Sequence, residues 1–296
     1  LTAYPELRFA KNTTPRPHFG KCSTQLETLK KTIEYDLAKH YDTQYLTYAQ
    51  AKPGLVILTE KLHGTSGRTG KVQYTKLHQT LLDKIKAFFK PSSKYTVVTG
   101  TRNTICVPGW AEQSAEEKYR VEIHNLLAPL LRDGETFFYE IVGFTSTGSP
   151  IMPPHSLDNV KDKVFRKYFP NPIIYKYGEA AYTFYVYRIT QELGDSILEL
   201  TWDQVLNRCE QLGIKAVPEI TSFYYDTDIE GSLINFVKLF LVNQHSTLDS
   251  EVLMEGLCIR IENRSPKIYK AKNFMFGVLE GWAKENDTYV DTEEIN

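Results

Sequence analysis

Apolar residues recur along this chain in two rhythms, which separate candidate strands from candidate helices. Leu55-Val56-Ile57-Leu58 is short and rich in branched side chains, and predicts a buried strand. Strand patterns follow at Val72-Gln73-Tyr74, Tyr95–Thr99, Phe137–Val142, Tyr182–Ile189, Glu255–Ile261 and Ile268–Lys272. Helical spacing places Leu26, Leu29, Ile33 and Leu37 on one face between Ser23 and His40. It recurs over His78–Lys90, and over Ala115–Leu131 with Tyr119, Ile123, Leu126, Leu127 and Leu130 turned inward. Thr201 caps a helix that runs to Leu212 and stops at Gly213, and a further helix spans about Ile229–Val242. Residues 1–22 are broken by Pro5, Pro15, Pro17 and Gly20, and residues 145–180 form a Pro/Gly-rich excursion with little periodicity, either a substrate-specific element or only a long surface loop. Strands that look antiparallel, interspersed with helices, predict an α+β fold. The expected organisation is an extension over 1–50 with a helix at about 23–40, one domain over 51–275, and a solvated acidic tail over 276–296.

Composition narrows the class without naming a function. The chain has 296 residues and a net charge of −1, which excludes a globally basic nucleic-acid binder but leaves room for a local basic groove. Cys22, Cys106, Cys209 and Cys258 are widely spaced, with no CxxC pair, which predicts free thiols and a reducing compartment such as cytoplasm, nucleoid or nucleus. No apolar stretch is long enough for a transmembrane helix and no signal peptide is visible. The chain starts at Leu1 rather than Met, the pattern of a processed product or an excised fragment.

The chemistry concentrates in a few segments. Glu60-Lys61-Leu62-His63-Gly64-Thr65-Ser66 puts a primary amine at a strand end, where it can serve as a covalent nucleophile. Lys270 and Lys272 lie two apart on a strand and therefore share a face; alone, that pattern also fits the wet side of an edge strand. Glu140 interrupts an apolar strand, where a carboxylate is costly unless paired, hydrogen-bonded or bound to metal. Arg102 and Asn103 follow a strand, a place suited to forked contacts with phosphate or ribose oxygens or to a local acidic partner. There is no Walker A, GxGxxG or GxSxG sequence.

In order, KLHGTS (61–66), GTRN (100–103), FYEIVG (138–143), YVYR (185–188), EGLCIR (255–260) and YKAK (269–272) resemble the motifs of the covalent nucleotidyltransferases, the superfamily of ATP-dependent ligases and capping enzymes. The resemblance spans residues 55–275. DNA ligases and capping enzymes usually carry KxDG, whereas His63 makes KxHG, as in RNA ligases similar to phage RNA ligase 2. It implies a nucleotidyltransferase (adenylation) domain of mixed, mainly antiparallel sheets, joining RNA 5′-phosphate and 3′-OH ends with ATP and Mg²⁺ or Mn²⁺.

The resemblance also implies residue roles. Lys61 takes AMP; Lys270 and Lys272 neutralise the α-phosphate and lower the pKa of Lys61 by like-charge repulsion. Glu140 contacts the nucleotide sugar or a cation, and Glu255 is the metal-associated carboxylate. Arg102 contacts ribose or a 5′-phosphate, Tyr187 stacks on adenine with Tyr185 as competitor, and Glu60 positions the adenine edge through its backbone. His63 and Gly64 shape the loop beside Lys61, with His63 either near pyrophosphate or simply filling space. Arg188 departs from the acid that commonly follows the aromatic in this motif. Arg68, Lys71 and Lys76 are candidates for a basic rim or a solvated face. The alternatives are an ATP-dependent DNA nick ligase, a GTP-using capping enzyme, or an RNA-end-binding relative without turnover. Neither flank can hold the accessory OB domain of such ligases, so the resemblance implies a longer natural chain, acting as a monomer.

Overall fold

The structure, a computed structural model, describes residues 18–19, 33–35, 44–45, 53–76, 95–102, 104–106, 118–194, 196–226, 232–241, 245–263, 266–281 and 283. Two sheets organise them. The larger has eight strands, along the path β1 (His18–Phe19), β7 (Thr104–Cys106), β6 (Tyr95–Gly100), β5 (Thr65–Lys76), β8 (Glu135–Val142), β9 (Thr183–Leu193) and β10 (Ser196–Glu199). Its eighth strand, β2 (Ile33–Tyr35), pairs with the far end of β5. The smaller sheet runs β11 (Glu219–Tyr225), β4 (Gly54–Lys61), β12 (Gly256–Ile261), β13 (Lys267–Lys272) and β3 (Gln44–Tyr45). Antiparallel pairing dominates; the short β1–β7 and β13–β3 contacts are parallel. The helices are α1 (Lys118–Leu127), α2 (Phe165–Tyr168), α3 (Trp202–Leu212), α4 (Ser232–Leu239) and α5 (Phe274–Leu279).

Period-two alternation on β4 divides the interior. Val56 and Leu58 join a cluster with Leu257, Ile259, Ile261 and Tyr269 of the same sheet and Leu233 and Val237 of α4. Ile57, one residue out of phase, joins the larger core with Phe137, Tyr139 and Ile141 of β8, Val186 and Ile189 of β9, and the inner stripes of α1 and α3. Thus the smaller sheet buries one face under α4 and turns the other toward the main core. Lys61 ends the strand on the odd-numbered side.

Helix α3 follows its sequence signals closely. Thr201 and Gln204 form a reciprocal capping box, and Gly213 closes the helix in the left-handed region at φ 64°. Arg208 reaches from α3 to both carboxylate oxygens of Glu135 on β8, at 2.8 and 2.9 Å. In α1, Tyr119, Ile123 and Leu127 are buried at i, i+4 spacing. Leu126 is not inward, as expected from the sequence, but 52% exposed, because it lies about 100° round the helix from Leu127. Leu130 falls beyond the helix end and is half-buried.

Three expectations are corrected. Ile33–Tyr35 lie in a stretch whose spacing reads as helical, yet they form a strand, because the long β5 offers them an unpaired edge from Tyr74 to Lys76. The segment from 276 is not simply a solvated tail: α5 begins at an Asn273 cap, and Phe276, Val278 and Ala283 are buried. Finally, residues 145–180 are not a surface loop. Leu157, Val160, Phe165, Phe169, Ile173, Tyr175 and Tyr177 all enter the main core. This segment hides its apolar residues without regular periodicity, so the pattern concealed its burial. The remainder of the helix expected at 23–40, the 78–90 helix, residues 115–117 and the ends of the 229–242 helix lie outside the described residues.

If 145–180 is part of the core, Phe165→Ala should destabilise the protein by about 3–5 kcal/mol in urea unfolding. A loss below about 0.5 kcal/mol, the usual size of a surface substitution, would contradict that packing.

Candidate active site

Strand register assembles the site. Gly256 of β12 pairs with Lys61 on one side and with Lys272 on the other, so the two lysines stand abreast across three strands. Two residues along, Cys258 pairs with Thr59 and Lys270, and beyond it Arg260 pairs with Ile268. Directly opposite residues share a sheet face. Lys61, Thr59, Cys258, Arg260, Ile268, Lys270 and Lys272 accordingly line one cavity of about 460 Å³. Gly256 permits the close approach of β12 to β13: a Cβ there would lie 2.2 Å from the Ala271 carbonyl oxygen and 2.8 Å from Lys272 Cα.

The opposite wall comes from the larger sheet. Glu140 on β8 pairs in register with Ser66 on β5, just after the turn from Lys61. Gly64 makes that approach feasible, since a Cβ would sit 2.4 Å from the Ile141 carbonyl and 2.9 Å from Glu140 Cγ. Its N–H donates to the Glu140 carboxylate. Arg120 of α1 is buried and locks the same turn, donating to the Ser66 carbonyl at 3.1 Å and Thr65 Oγ1 at 2.7 Å.

Charge is concentrated around Lys61. Its Nζ lies 2.5 Å from Glu255 Oε1, and Lys272 Nζ lies 4.0 Å from the same oxygen. Burial alone would push the Glu255 carboxyl up, but Lys61, His63 and Lys272 hold it well below the usual carboxylate range. Burial would likewise lower the Lys61 amine; Glu255 and then Glu140 outweigh it and raise its pKa. This corrects the expectation that neighbouring lysines depress it: the nearest charges are carboxylates. Burial pushes Glu140 up to about 7, with the Glu255 charge adding to the rise against opposing pulls from Lys61 and Arg120.

These carboxylates fit a divalent cation. Glu255 Oε2 is buried and faces His63 Nδ1 only at 3.4 Å, beyond a good hydrogen bond, and Glu140 carries an ionisation cost that a cation would relieve. Both offer oxygen ligands, the kind Mg²⁺ and Mn²⁺ take. The converging Lys270, Lys272 and Arg102 suit a phosphate chain.

A β-bulge aims the aromatic group. Phe138 pairs with Arg188 while Tyr139 pairs with Val186, leaving Tyr187 as the extra residue on β9. Tyr187 and Arg188 therefore both reach the cavity, although they are consecutive. Tyr185 lies beyond the bulge, buried in the core with Lys215 over its ring and Glu179 at its hydroxyl. Arg188 lies over the Phe138 ring at 4.1 Å and forms a forked pair with Glu199 of β10, at 2.8 and 2.9 Å. Glu199 also lies 3.9 Å from Arg260.

The other candidates are placed as follows. Glu60, Gly64 and the exposed Arg102 border the cavity. The Glu60 side chain turns away, accepting from Thr247 N at 2.9 Å and Thr247 Oγ1 at 2.5 Å. His63 does not line the cavity; it is buried behind Glu255, with Nδ1 3.4 Å from Glu255 Oε2. Its backbone N–H donates to the Tyr177 hydroxyl at 2.6 Å. Arg68 and Lys71 cannot form one rim, because odd and even residues of β5 face opposite ways: Arg68 is buried, and Lys71 pairs with Asp133 at 2.7 Å. The Lys76 side chain and Asn103 lie outside the described residues. Arg120, Cys258 and Arg260 were not singled out from sequence. Cys258 and Arg260 were findable by extending the alternation from Lys270 and Lys272 to the partner strand; Arg120 had no local signal.

A family model described as RNA ligase matches residues 54–291. No curated protein sequence matches the chain. Among solved structures, a Naegleria gruberi RNA ligase mutant with ATP and Mn is 13% identical with a TM-score of 0.49, covering 94% of this chain and 64% of that one. An archaeal ATP-dependent RNA ligase is 11% identical with a TM-score of 0.45, covering 83% and 51%. A putative ATP-dependent DNA ligase from Aquifex aeolicus is 12% identical with a TM-score of 0.44, covering 86% and 63%. The chain thus spans less than two thirds of the length of each. Among the described residues, no helix is long and apolar enough to cross a membrane.

The arginine pair at the cavity end yields a stability prediction. The side chains of Arg188, Glu199 and Arg260 are only 4–6% exposed. Glu199→Gln should cost about 3–5 kcal/mol in urea unfolding, by removing the carboxylate that forks onto the buried Arg188 while Arg260 keeps Glu262. Adding Arg188→Met should recover part of that loss, and an unchanged midpoint for Glu199→Gln would refute the account.

Proposed function

The chain belongs to the RNA ligase family, and from that premise we propose that it is an ATP-dependent RNA ligase working through a lysyl-AMP intermediate on Lys61. The observation that carries this reading is the position of the Lys61 amine. It stands in a cavity wall abreast of Lys272, held by Glu255 at 2.5 Å, with Glu140 across the turn.

In the resting site Lys61 is a protonated partner of Glu255, since the carboxylates raise its pKa. Reaction requires loss of that proton to solvent. The freed lone pair attacks the α-phosphorus of ATP; an N–P bond forms, and the bond to the bridging oxygen breaks as pyrophosphate leaves with its electron pair. Lys270 and Lys272 attract the charge on the phosphate oxygens. Glu255 and Glu140 would hold a divalent cation, which would supply positive charge to offset the phosphates. The Tyr187 ring supplies a stacking surface for adenine, and Arg102, at the exposed edge, meets ribose or an incoming 5′-phosphate.

AMP then passes to the 5′-phosphate of RNA, and Lys61 leaves with a proton restored. A 3′-OH, giving up its proton to solvent, attacks the RNA 5′-phosphorus; the phosphodiester forms as the bond to the bridging oxygen breaks and AMP departs with its electron pair. The choice of RNA over DNA rests on His63 in the KxHG turn together with the family.

Incubation with α-labelled ATP and Mg²⁺ should leave label on the denatured parent and none on Lys61→Ala. Absence of label on the folded parent would instead favour an RNA-end-binding protein without turnover. Nicked duplexes with an RNA 3′-OH strand should be sealed faster than their DNA counterparts, and the reverse order would move the reading to a DNA nick ligase. Tyr187→Ala should raise the ATP concentration for half-maximal labelling at least about fivefold, the lower end of base–aromatic stacking. No change would remove Tyr187 from the adenine site.

A further inference from the structure

Behind the lysine cavity, three segments far apart in sequence bring together two imidazoles and a carboxylate. His63 comes from the turn after β4, His155 from the 145–180 segment, and Glu280 from the end of α5. One donor atom from each lies within 4.8 Å of the other two. We propose that His63, His155 and Glu280 form a binding site for a divalent transition-metal ion of the zinc class.

Four observations support the site. First, His63 is 92% buried by residue exposure, and its Nε2 has no hydrogen-bond partner. A buried imidazole nitrogen without a partner is costly, and a cation would satisfy it. Second, His155 Nε2 and Glu280 Oε1 are in direct contact, which leaves a nitrogen and an oxygen donor converging on one point.

Third, each histidine has its other nitrogen facing an oriented group. His155 Nδ1 lies 3.1 Å from the Tyr175 hydroxyl, and His63 Nδ1 lies 3.4 Å from Glu255 Oε2. Such outer contacts fix the tautomer and ring direction of metal-bound histidines. Fourth, Tyr175 and Phe276 wall the cluster, with ring centroids 4.6 and 5.0 Å from that of His63. An apolar wall of this kind limits access of competing water.

The donor set selects the ion. Two imidazoles and one carboxylate suit zinc and its neighbours, whereas magnesium and calcium prefer oxygen alone. Tetrahedral bonds of about 2.0–2.1 Å would place the donors about 3.3 Å apart. The His155–Glu280 contact must therefore open to admit the ion while the wider spacings in the cluster close, and the part-exposed Glu280 side chain is the group placed to move. With three protein ligands, a fourth position is left for water. The consequence is positional: an ion here would tie the motif turn to the 145–180 segment and α5, and hold His63 against Glu255. The proposal does not depend on the ligase reading, because binding needs neither ATP nor RNA.

The test uses the full chain stripped of metal by a chelator, in excess Mg²⁺ to occupy the oxygen-only sites. Titration with Co²⁺ should give visible d–d bands at one equivalent, and Zn²⁺ should displace them one for one. Zn²⁺ should also raise the melting temperature. Glu280→Gln and His155→Gln should each weaken Zn²⁺ binding by more than the roughly 10–100-fold typical of losing an outer hydrogen-bonding partner. If His155→Gln fails to fold, Glu280→Gln, altered at a part-exposed side chain, decides the matter. Absence of a one-equivalent Co²⁺ spectrum in the parent, or Zn²⁺ affinity unchanged in folded Glu280→Gln, would overturn the proposal.

Discussion

The contact between the Lys61 ammonium and Glu255 is the interaction on which the site depends. At 2.5 Å it joins the end of β4 to the residue preceding β12, two segments separated by 194 positions. A buried carboxylate such as Glu255 is tolerated only with cationic partners, and Lys61, Lys272 and His63 surround it. The Lys61 amine is therefore held in a salt bridge. The proposed attack on ATP requires that bridge to open, because the surrounding carboxylates stabilise the protonated amine.

The glycines and the bulge give this pair its room. Gly256 lets β12 pack closely against β13 between Lys61 and Lys272, and Gly64 lets the start of β5 pass against Glu140. The bulge on β9 turns Tyr187 into the cavity and brings Arg188 with it, where Phe138 and Glu199 hold the guanidinium. Arg188 is thus part of a cluster of two arginines and two carboxylates, with Glu199, Arg260 and Glu262, rather than an isolated charge. At the rear, Tyr175, Tyr177 and His155 come from a segment with little regular structure and pack around His63. The motif turn is consequently supported from three sides.

Much of this was legible because local rules and tertiary demands agreed. Strand β8, the capping box of α3 and the Gly213 stop all have short-range causes, and each formed where its residues indicate. The alternation of Lys270 and Lys272 also survived, since β13 pairs regularly with β12. Misreadings arose where long-range partners decided the outcome. Ile33–Tyr35 became a strand because β5 supplied an edge, and Leu126 faced solvent because the helix stripe is narrower than its apolar content. The 145–180 segment entered the core because its aromatics found pockets, which prolines and glycines in sequence do not disclose.

The sequence by itself determined the order of the chemistry-bearing segments, the α+β character and the strand faces on which Lys61, Lys270 and Lys272 stand. Those properties follow from residue type and from a period of two, both of which act over a few positions. Only the tertiary structure decided which charges meet. It put carboxylates rather than lysines nearest Lys61, separated Tyr187 from Tyr185 by a bulge, and moved His63 out of the cavity to face His155 and Glu280. Coulomb energy and desolvation depend on distance and burial, and those are fixed only when remote segments pack together.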